Sequence, residues 1–245
     1  MNRIVLMVLR NSLKVPGMWT KLCRYAKTAE QFPEQEKEQE RWNHIQYILN
    51  RAVVTGNIDL VVTGVENIPA PDAGGFLMYG NHQGLFDVLA VAATSKTPLA
   101  AVLKKELQGI PFVQQIIDCT RSYPMDREDA RQSMRVMQQV TKDVLDGRGI
   151  LIFPEGTRSK KGNEMLEFHP GSFKCALKAK CPIIPMALID CFKVLDQKGS
   201  APVKVKIHYL EPILYEEYKD MKTVELAAYV QEKIRVAIEE NLIEG

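Results

Sequence analysis

From residue 58 onward, short apolar runs alternate with longer stretches of helical periodicity, and this alternation leaves few architectures open. Residues 59–63, 75–79, 99–103, 122–125, 150–153, 183–189 and 203–210 have the length and apolar content of strands. Between them, residues 85–93, 112–117, 130–145, 172–179 and 223–240 repeat apolar side chains at helical spacing, as helices with one buried face do. Strands that take turns with helices imply an α/β fold, a sheet with helices on both faces. A chain of 245 residues has room for one such core and a small appendage. The sequence carries no internal repeat and no low-complexity tract.

The appendage lies in front of the alternation and has its own charge. Residues 1–29 hold Arg3, Arg10, Lys14, Lys21, Arg24 and Lys27 and no acid, leaving 26 basic against 30 acidic residues elsewhere. The whole chain is therefore close to neutral, at +2, which argues against nucleic acid as a partner. Ile4, Val5, Val8, Leu9 and Leu13 form one stripe, and Met18, Trp19, Leu22 and Tyr25 continue it beyond Pro16-Gly17, where the segment is expected to break into two helices. A basic amphipathic helix with an aromatic anchor suits an anionic membrane surface. A helix packed on its own domain has the same periodicity, so the pattern alone does not separate the two. The expected organisation is 1–29 as membrane-docking helices, 30–57 as a helical connector and 58–245 as the main domain.

No run approaches the ~20 apolar residues of a membrane-spanning helix. The first apolar run ends at Arg10 with no small-residue cleavage site after it, so the chain is expected on the cytoplasmic face of the membrane, peripherally bound. The five cysteines are odd in number and lack Cys-x-x-Cys spacing, which suits free thiols in a reducing compartment and gives zinc no support.

Two segments at strand-to-helix junctions carry chemistry, and in α/β sheets ligands gather at such junctions. The first is Tyr79-Gly80-Asn81-His82-Gln83-Gly84-Leu85-Phe86-Asp87. On a continuous helix His82 and Asp87 would point about 140° apart, because each residue advances ~100°. They meet only if His82 lies in the loop before the helix. There an aspartate fixes one imidazole nitrogen and leaves the other free as a base. The second segment, Phe153-Pro154-Glu155-Gly156-Thr157-Arg158-Ser159, places a glycine where backbone amides can approach a ligand and an arginine whose fork suits phosphate or carboxylate. Alone, the first is an ordinary structural pair and the second an ordinary polar turn.

Together, in this order, they resemble the glycerolipid acyltransferase family that includes bacterial 1-acyl-glycerol-3-phosphate acyltransferase. Asn81-His82 through Asp87 matches its His-x4-Asp signature, and 153–159 matches a second block in full. Lys104-Lys105-Glu106-Leu107, Ile110-Pro111-Phe112, Asp126-Arg127 and Cys181-Pro182-Ile183-Ile184-Pro185 extend the likeness. Ser122-Tyr123-Pro124-Met125 departs from the Gly and Phe that many members carry before the Asp-Arg pair.

The resemblance implies a mixed, largely parallel sheet flanked by helices. It implies transfer of an acyl group from a thioester to the 2-hydroxyl of lysophosphatidic acid, giving phosphatidic acid. His82 would be the general base and Asp87 its orienting partner. Lys104 and Arg158, with Arg127 as helper, would hold the acceptor phosphate, and amides near Gly156 the oxyanion. Glu155 and Thr157 would shape the turn or bond the glycerol. His44, His169 and His208 are expected to be structural or exposed, and Lys105 solvated. No Gly-x-Ser-x-Gly elbow is present, which fits an acceptor alcohol as nucleophile. No metal or organic cofactor is implied; acyl carrier protein or coenzyme A would carry the donor. Acylation of glycerol 3-phosphate or another lysolipid, hydrolysis of a thioester or lipid, and non-catalytic lipid binding are the rival readings.

Overall fold

The computed structural model describes residues 2–243; Met1, in the first expected segment, and residues 244–245, in the last, lie outside the described residues. Three helices, α1 (Arg3–Arg10), α2 (Val15–Thr28) and α3 (Gln35–Thr55), precede a domain in which strands and helices alternate. Its strands are β1 (Ile58–Thr63), β2 (Phe76–Gly80), β3 (Leu99–Lys104), β4 (Tyr123–Met125), β5 (Gly149–Ile152), β6 (Ile183–Ile189) and β7 (Val203–Tyr209). Its helices are α4 (Asp87–Thr94), α5 (Val113–Thr120), α6 (Ala130–Leu145), α7 (Lys174–Ala179), α8 (Phe192–Leu195), α9 (Tyr215–Tyr218) and α10 (Thr223–Ile243).

The strands form one seven-stranded sheet in the order β1-β7-β6-β2-β5-β3-β4. Pairing is parallel except between β6 and β7, where Met186 faces Tyr209. Strands β2 to β6 therefore all end at one edge of the sheet, and the loops that follow them share that edge. The central β2 shows why the chain folds this way. Phe76 and Met78 bury on one face with Trp42 and Ile45 of α3, Val91 of α4 and Val194 of α8. Leu77 and Tyr79 bury on the other with Val140 and Val144 of α6, Ala176 of α7 and Leu226, Val230 and Ile234 of α10. A strand covered on both faces is apolar throughout, which is why β2 and β6 read as unbroken runs.

Helix α6 spans the expected residues and starts where Asp129 accepts the N–H groups of Arg131 and Gln132. The first two helices divide differently from expectation. The break falls between Arg10 and Val15, and Pro16-Gly17 lies inside the first turn of α2. Proline is tolerated there because the first-turn N–H groups have no helical partner to lose. The expected helix at 172–179 divides into a 3-10 turn at Pro170–Phe173 and α7. The two four-residue helices α8 and α9 gave no periodic signal.

The first segment is less free-standing than its charge suggests. Leu6, Leu22 and Tyr25 are buried, and Met7 and Met18 pack on the core. Arg3 is buried and donates to the carbonyls of Val194 (3.0 Å), Gly56 (2.5 Å) and Ala201 (2.9 Å), so it is not a surface cation. Arg10 binds the Thr55 carbonyl and the Asn57 side chain. Ile4, Val5, Val8, Leu9 and Leu13 face outward, with Trp19 exposed in α2. Among the described residues no helix is long and apolar enough to cross a membrane.

Candidate active site

The loop between β2 and α4 sits at the shared strand edge and is fixed from its first residue. Asn81 is buried and acts as a substitute strand, donating Nδ2–H to the Leu188 carbonyl (2.9 Å) and accepting the Leu188 N–H (2.8 Å). His82 follows in the loop and Asp87 opens α4, the placement that their spacing requires. His82 Nδ1 lies 2.7 Å from Asp87 Oδ2. The same oxygen accepts the N–H groups of Gln83 (2.6 Å) and Gly84 (2.9 Å). Three partners and the first turn of α4 thus converge on one oxygen of this fully buried side chain, while its Oδ1 has no hydrogen-bond partner among the described residues. The imidazole stacks on Phe153 at 4.3 Å, and its Nε2 makes no hydrogen bond among the described residues. With its side chain 17 % exposed, the ring is held on one edge and open on the other.

The second segment holds the backbone of the first. Glu155 is 2 % exposed; its Oε1 accepts the His82 N–H (2.8 Å) and its Oε2 the Leu166 N–H (3.0 Å). Burial pushes its carboxyl up to about 7, against the pull of those two amides. From the other side, Ser159 N–H donates to the His82 carbonyl at 2.8 Å. His82 is thus clamped at both its N–H and its carbonyl by the turn after β5. Gly156 makes that turn possible: its φ is +71°, and an added Cβ would stand 3.0 Å from His169 Cδ2.

A groove of about 760 Å³ opens beside this turn, between α6 and α7. Its floor includes Val102, Met137, Ile152 and Phe153, and Glu155, Gly156, Thr157 and Arg127 also line it. The three expected phosphate ligands occupy different surroundings. Arg127 lines the groove, Lys104 pairs with Glu106 at 2.9 Å, and Arg158 Nη1 binds Asp196 Oδ1 at 2.5 Å. Lys105, expected to be solvated, pairs with Asp126. His44 is buried against the Met18 carbonyl, and His208 bonds Thr63. His169, expected to be structural or exposed, is exposed and lines the groove over Gly156. The Gly156 N–H is committed to the Phe153 carbonyl at 3.1 Å, so among the amides of that vicinity it is not a free donor. Among the described residues no group of three or more His, Cys, Asp or Glu side chains is arranged to hold a metal, and the cysteines are free.

Sequence reading missed the polar shell behind the loop. Gln83, buried, donates to Asn163 and accepts the Cys191 N–H. Asp196 accepts the Leu85 N–H as well as Arg158. Asn163, Cys191 and Asp196 come from distant segments with no motif of their own, and only the fold brings them to the histidine loop.

The chain as a whole is similar to known proteins. A family model described as acyltransferase matches residues 59–189. The 1-acyl-sn-glycerol-3-phosphate acyltransferase of Helicobacter pylori is 30% identical over 183 residues, 70% of this chain and 77% of that protein. The protein of the same name from Borreliella burgdorferi is 28% identical over 206 residues, 81% of this chain and 78% of its own. The crystal structure of the 1-acyl-sn-glycerophosphate (LPA) acyltransferase, PlsC, from Thermotoga maritima superposes with a TM-score of 0.79 at 23% identity, covering 97% of this chain and 95% of that one, and so has the same fold. Both the histidine–aspartate loop and the clamp that holds it fall inside the matched span, and the chain is an enzyme that belongs to the acyltransferase family.

Proposed function

We propose that this acyltransferase converts lysophosphatidic acid to phosphatidic acid at a membrane surface, with His82 as general base. The observation that carries the reading is the His82–Asp87 contact, which leaves Nε2 as the one open nitrogen of an oriented imidazole. His82 Nε2 takes the proton of the glycerol 2-hydroxyl as its oxygen attacks the thioester carbonyl carbon. Asp87 keeps Nδ1 protonated and stabilises the imidazolium that forms. Backbone N–H groups beside Gly156 hold the developing oxyanion. Collapse of the tetrahedral intermediate forms the ester and breaks the carbon–sulfur bond, and the imidazolium returns its proton to the departing thiolate. No enzyme nucleophile and no metal takes part.

Arg158 holds the acceptor phosphate, with Lys104 and Arg127 as further cations at the strand edge. Glu155 and Gly156 build the turn, and Thr157, exposed at the groove, contacts the glycerol. The donor is an acyl thioester of acyl carrier protein or coenzyme A. The outward stripe of α1, with Trp19 and the cations Lys14, Lys21, Arg24 and Lys27, docks the protein on anionic lipid at the cytoplasmic face. In this reading 1–29 is the docking part, packed on the domain, whereas 30–57, expected as a connector, carries α3, whose Trp42 and Ile45 belong to the domain core. The test is an assay with a labelled acyl thioester against lysophosphatidic acid, glycerol 3-phosphate, other lysolipids and water alone. Transfer to lysophosphatidic acid above the others is expected, and release of free acid with water alone would make the protein a hydrolase.

A further inference from the structure

Arg158 does not stand free at the site: Asp196, which belongs to no motif, holds it. Asp196 Oδ1 accepts from Arg158 Nη1 at 2.5 Å, and its Oδ2 accepts the Leu85 N–H at 2.9 Å. Leu85 lies in the loop between His82 and Asp87. One carboxylate therefore touches both the histidine loop and the phosphate-binding side chain.

Asp196 is itself fixed. It follows α8, and that short helix is pinned at both ends. The Cys191 N–H donates to Gln83 Oε1 (3.0 Å), and the Val194 carbonyl accepts from the buried Arg3 (3.0 Å). The packing leaves no slack, since a Cβ on Gly84 would lie 2.4 Å from Asp196 Oδ2 and 2.9 Å from Phe192 Cα. The pair is partly buried, its side chains 32% and 27% exposed, so its two charges are less screened than a surface pair.

We infer that Asp196 is a positioning residue that sets the Arg158 guanidinium for the acceptor phosphate. Asp196 engages only Nη1, and Arg158 makes no other side-chain hydrogen bond among the described residues. The fork of Nε and Nη2 is left to take two phosphate oxygens side by side. An arginine held in this way loses less rotamer freedom when the acceptor binds, so the effect falls on acceptor affinity. The bond to Leu85 sets that guanidinium relative to the loop carrying His82. This inference rests on the reading of Arg158 as the phosphate ligand.

Asp196→Asn isolates the proposed contact. Its amide oxygen still accepts from Leu85, while its NH₂ faces the guanidinium, donor against donor. Initial rates of the full chain would be measured with lysophosphatidic acid and palmitoyl-CoA or palmitoyl-acyl carrier protein varied in turn, alongside thermal melts. The KM for lysophosphatidic acid should rise about tenfold, the scale of one charge-assisted hydrogen bond, while donor KM and melting temperature hold. Asp196→Glu, which keeps the charge, should recover part of the loss. On an Arg158→Ala background, Asp196→Asn should change acceptor KM no further. A loss confined to kcat or to melting temperature, or one that multiplies with Arg158→Ala, overturns the inference. If Arg158→Ala leaves acceptor KM unchanged, the reading of Arg158 fails and the inference with it. If Arg158→Ala raises it and Asp196→Asn does not, only the role of Asp196 fails.

Discussion

Glu155 accepts the backbone N–H of His82 at 2.8 Å, so the two segments that sequence reading treated as separate motifs are parts of one assembly. The turn after β5 holds the histidine loop in place, and its own exposed residues face the groove.

Glu155 gives the first prediction. Burial raises its folded-state carboxyl from 4.5 to about 7, so the folded chain binds this proton more tightly than the unfolded chain. The stabilisation is full below pH ~4.5 and is lost as pH rises through about 7. Glu155→Gln cannot titrate, and its amide NH₂ must face one of the two N–H groups. The melting temperature of the variant should lie below that of the native chain. The gap should be widest near pH 5 and narrower at pH 8, and a gap independent of pH would contradict the assignment.

Gly84 gives a second. Because an added Cβ would meet Asp196 Oδ2 at 2.4 Å and Phe192 Cα at 2.9 Å, Gly84→Ala must shift α8 or the histidine loop. Overpacking of this kind costs about 1–3 kcal/mol. A fall of several degrees in melting temperature should accompany at least a roughly tenfold loss of acyl transfer, since a shift of the catalytic loop is felt in geometry before stability. Normal rates in the variant would show that this packing does not govern the site.

A third concerns the membrane. Val8 and Leu9 are exposed on α1, whereas Leu22 and Tyr25 are core residues, so deleting the whole segment would damage the fold. Val8→Ser with Leu9→Ser leaves the core intact. Burying an apolar side chain of this size stabilises by about 1.5–3 kcal/mol, so co-sedimentation with anionic vesicles should fall at least about tenfold with the melting temperature unchanged. Undiminished sedimentation would exclude this face as the docking surface.

A fourth concerns the shape of the phosphate ligand. Arg158→Lys keeps the charge and loses the fork, so it should raise the KM for lysophosphatidic acid nearly as far as Arg158→Ala does. Full activity with lysine would reduce the requirement to charge alone.

How far the fold and site were legible follows from the range of each interaction. The alternation of strands and helices is a local pattern repeated along the chain, and β6 and α6 emerged with their expected limits. His82 and Asp87 were legible because five residues and a loop-to-helix change decide whether they meet. Pro16-Gly17 was misread as a break because proline both ends one helix and begins the next, and the sequence does not mark which. Arg3 was counted as a surface cation because nothing in an amphipathic pattern announces an arginine buried among carbonyls of residues 56, 194 and 201. Asp196 was invisible for the same reason: its partners Leu85 and Arg158 lie 111 and 38 residues away.

The central claim is that His82 is the base and Asp87 its partner, and rates of acyl transfer in single and double variants test it most directly. General-base catalysis is worth about 10²–10⁴-fold, so His82→Ala, in a loop and outside both core clusters, should lose at least about a hundredfold while keeping its melting temperature. Asp87→Asn should also be severe, because an amide can favour the wrong imidazole tautomer. The double variant should be little worse than His82→Ala, since groups that act as a unit are not additive. A folded His82→Ala protein that transfers acyl groups at a near-native rate would contradict the account.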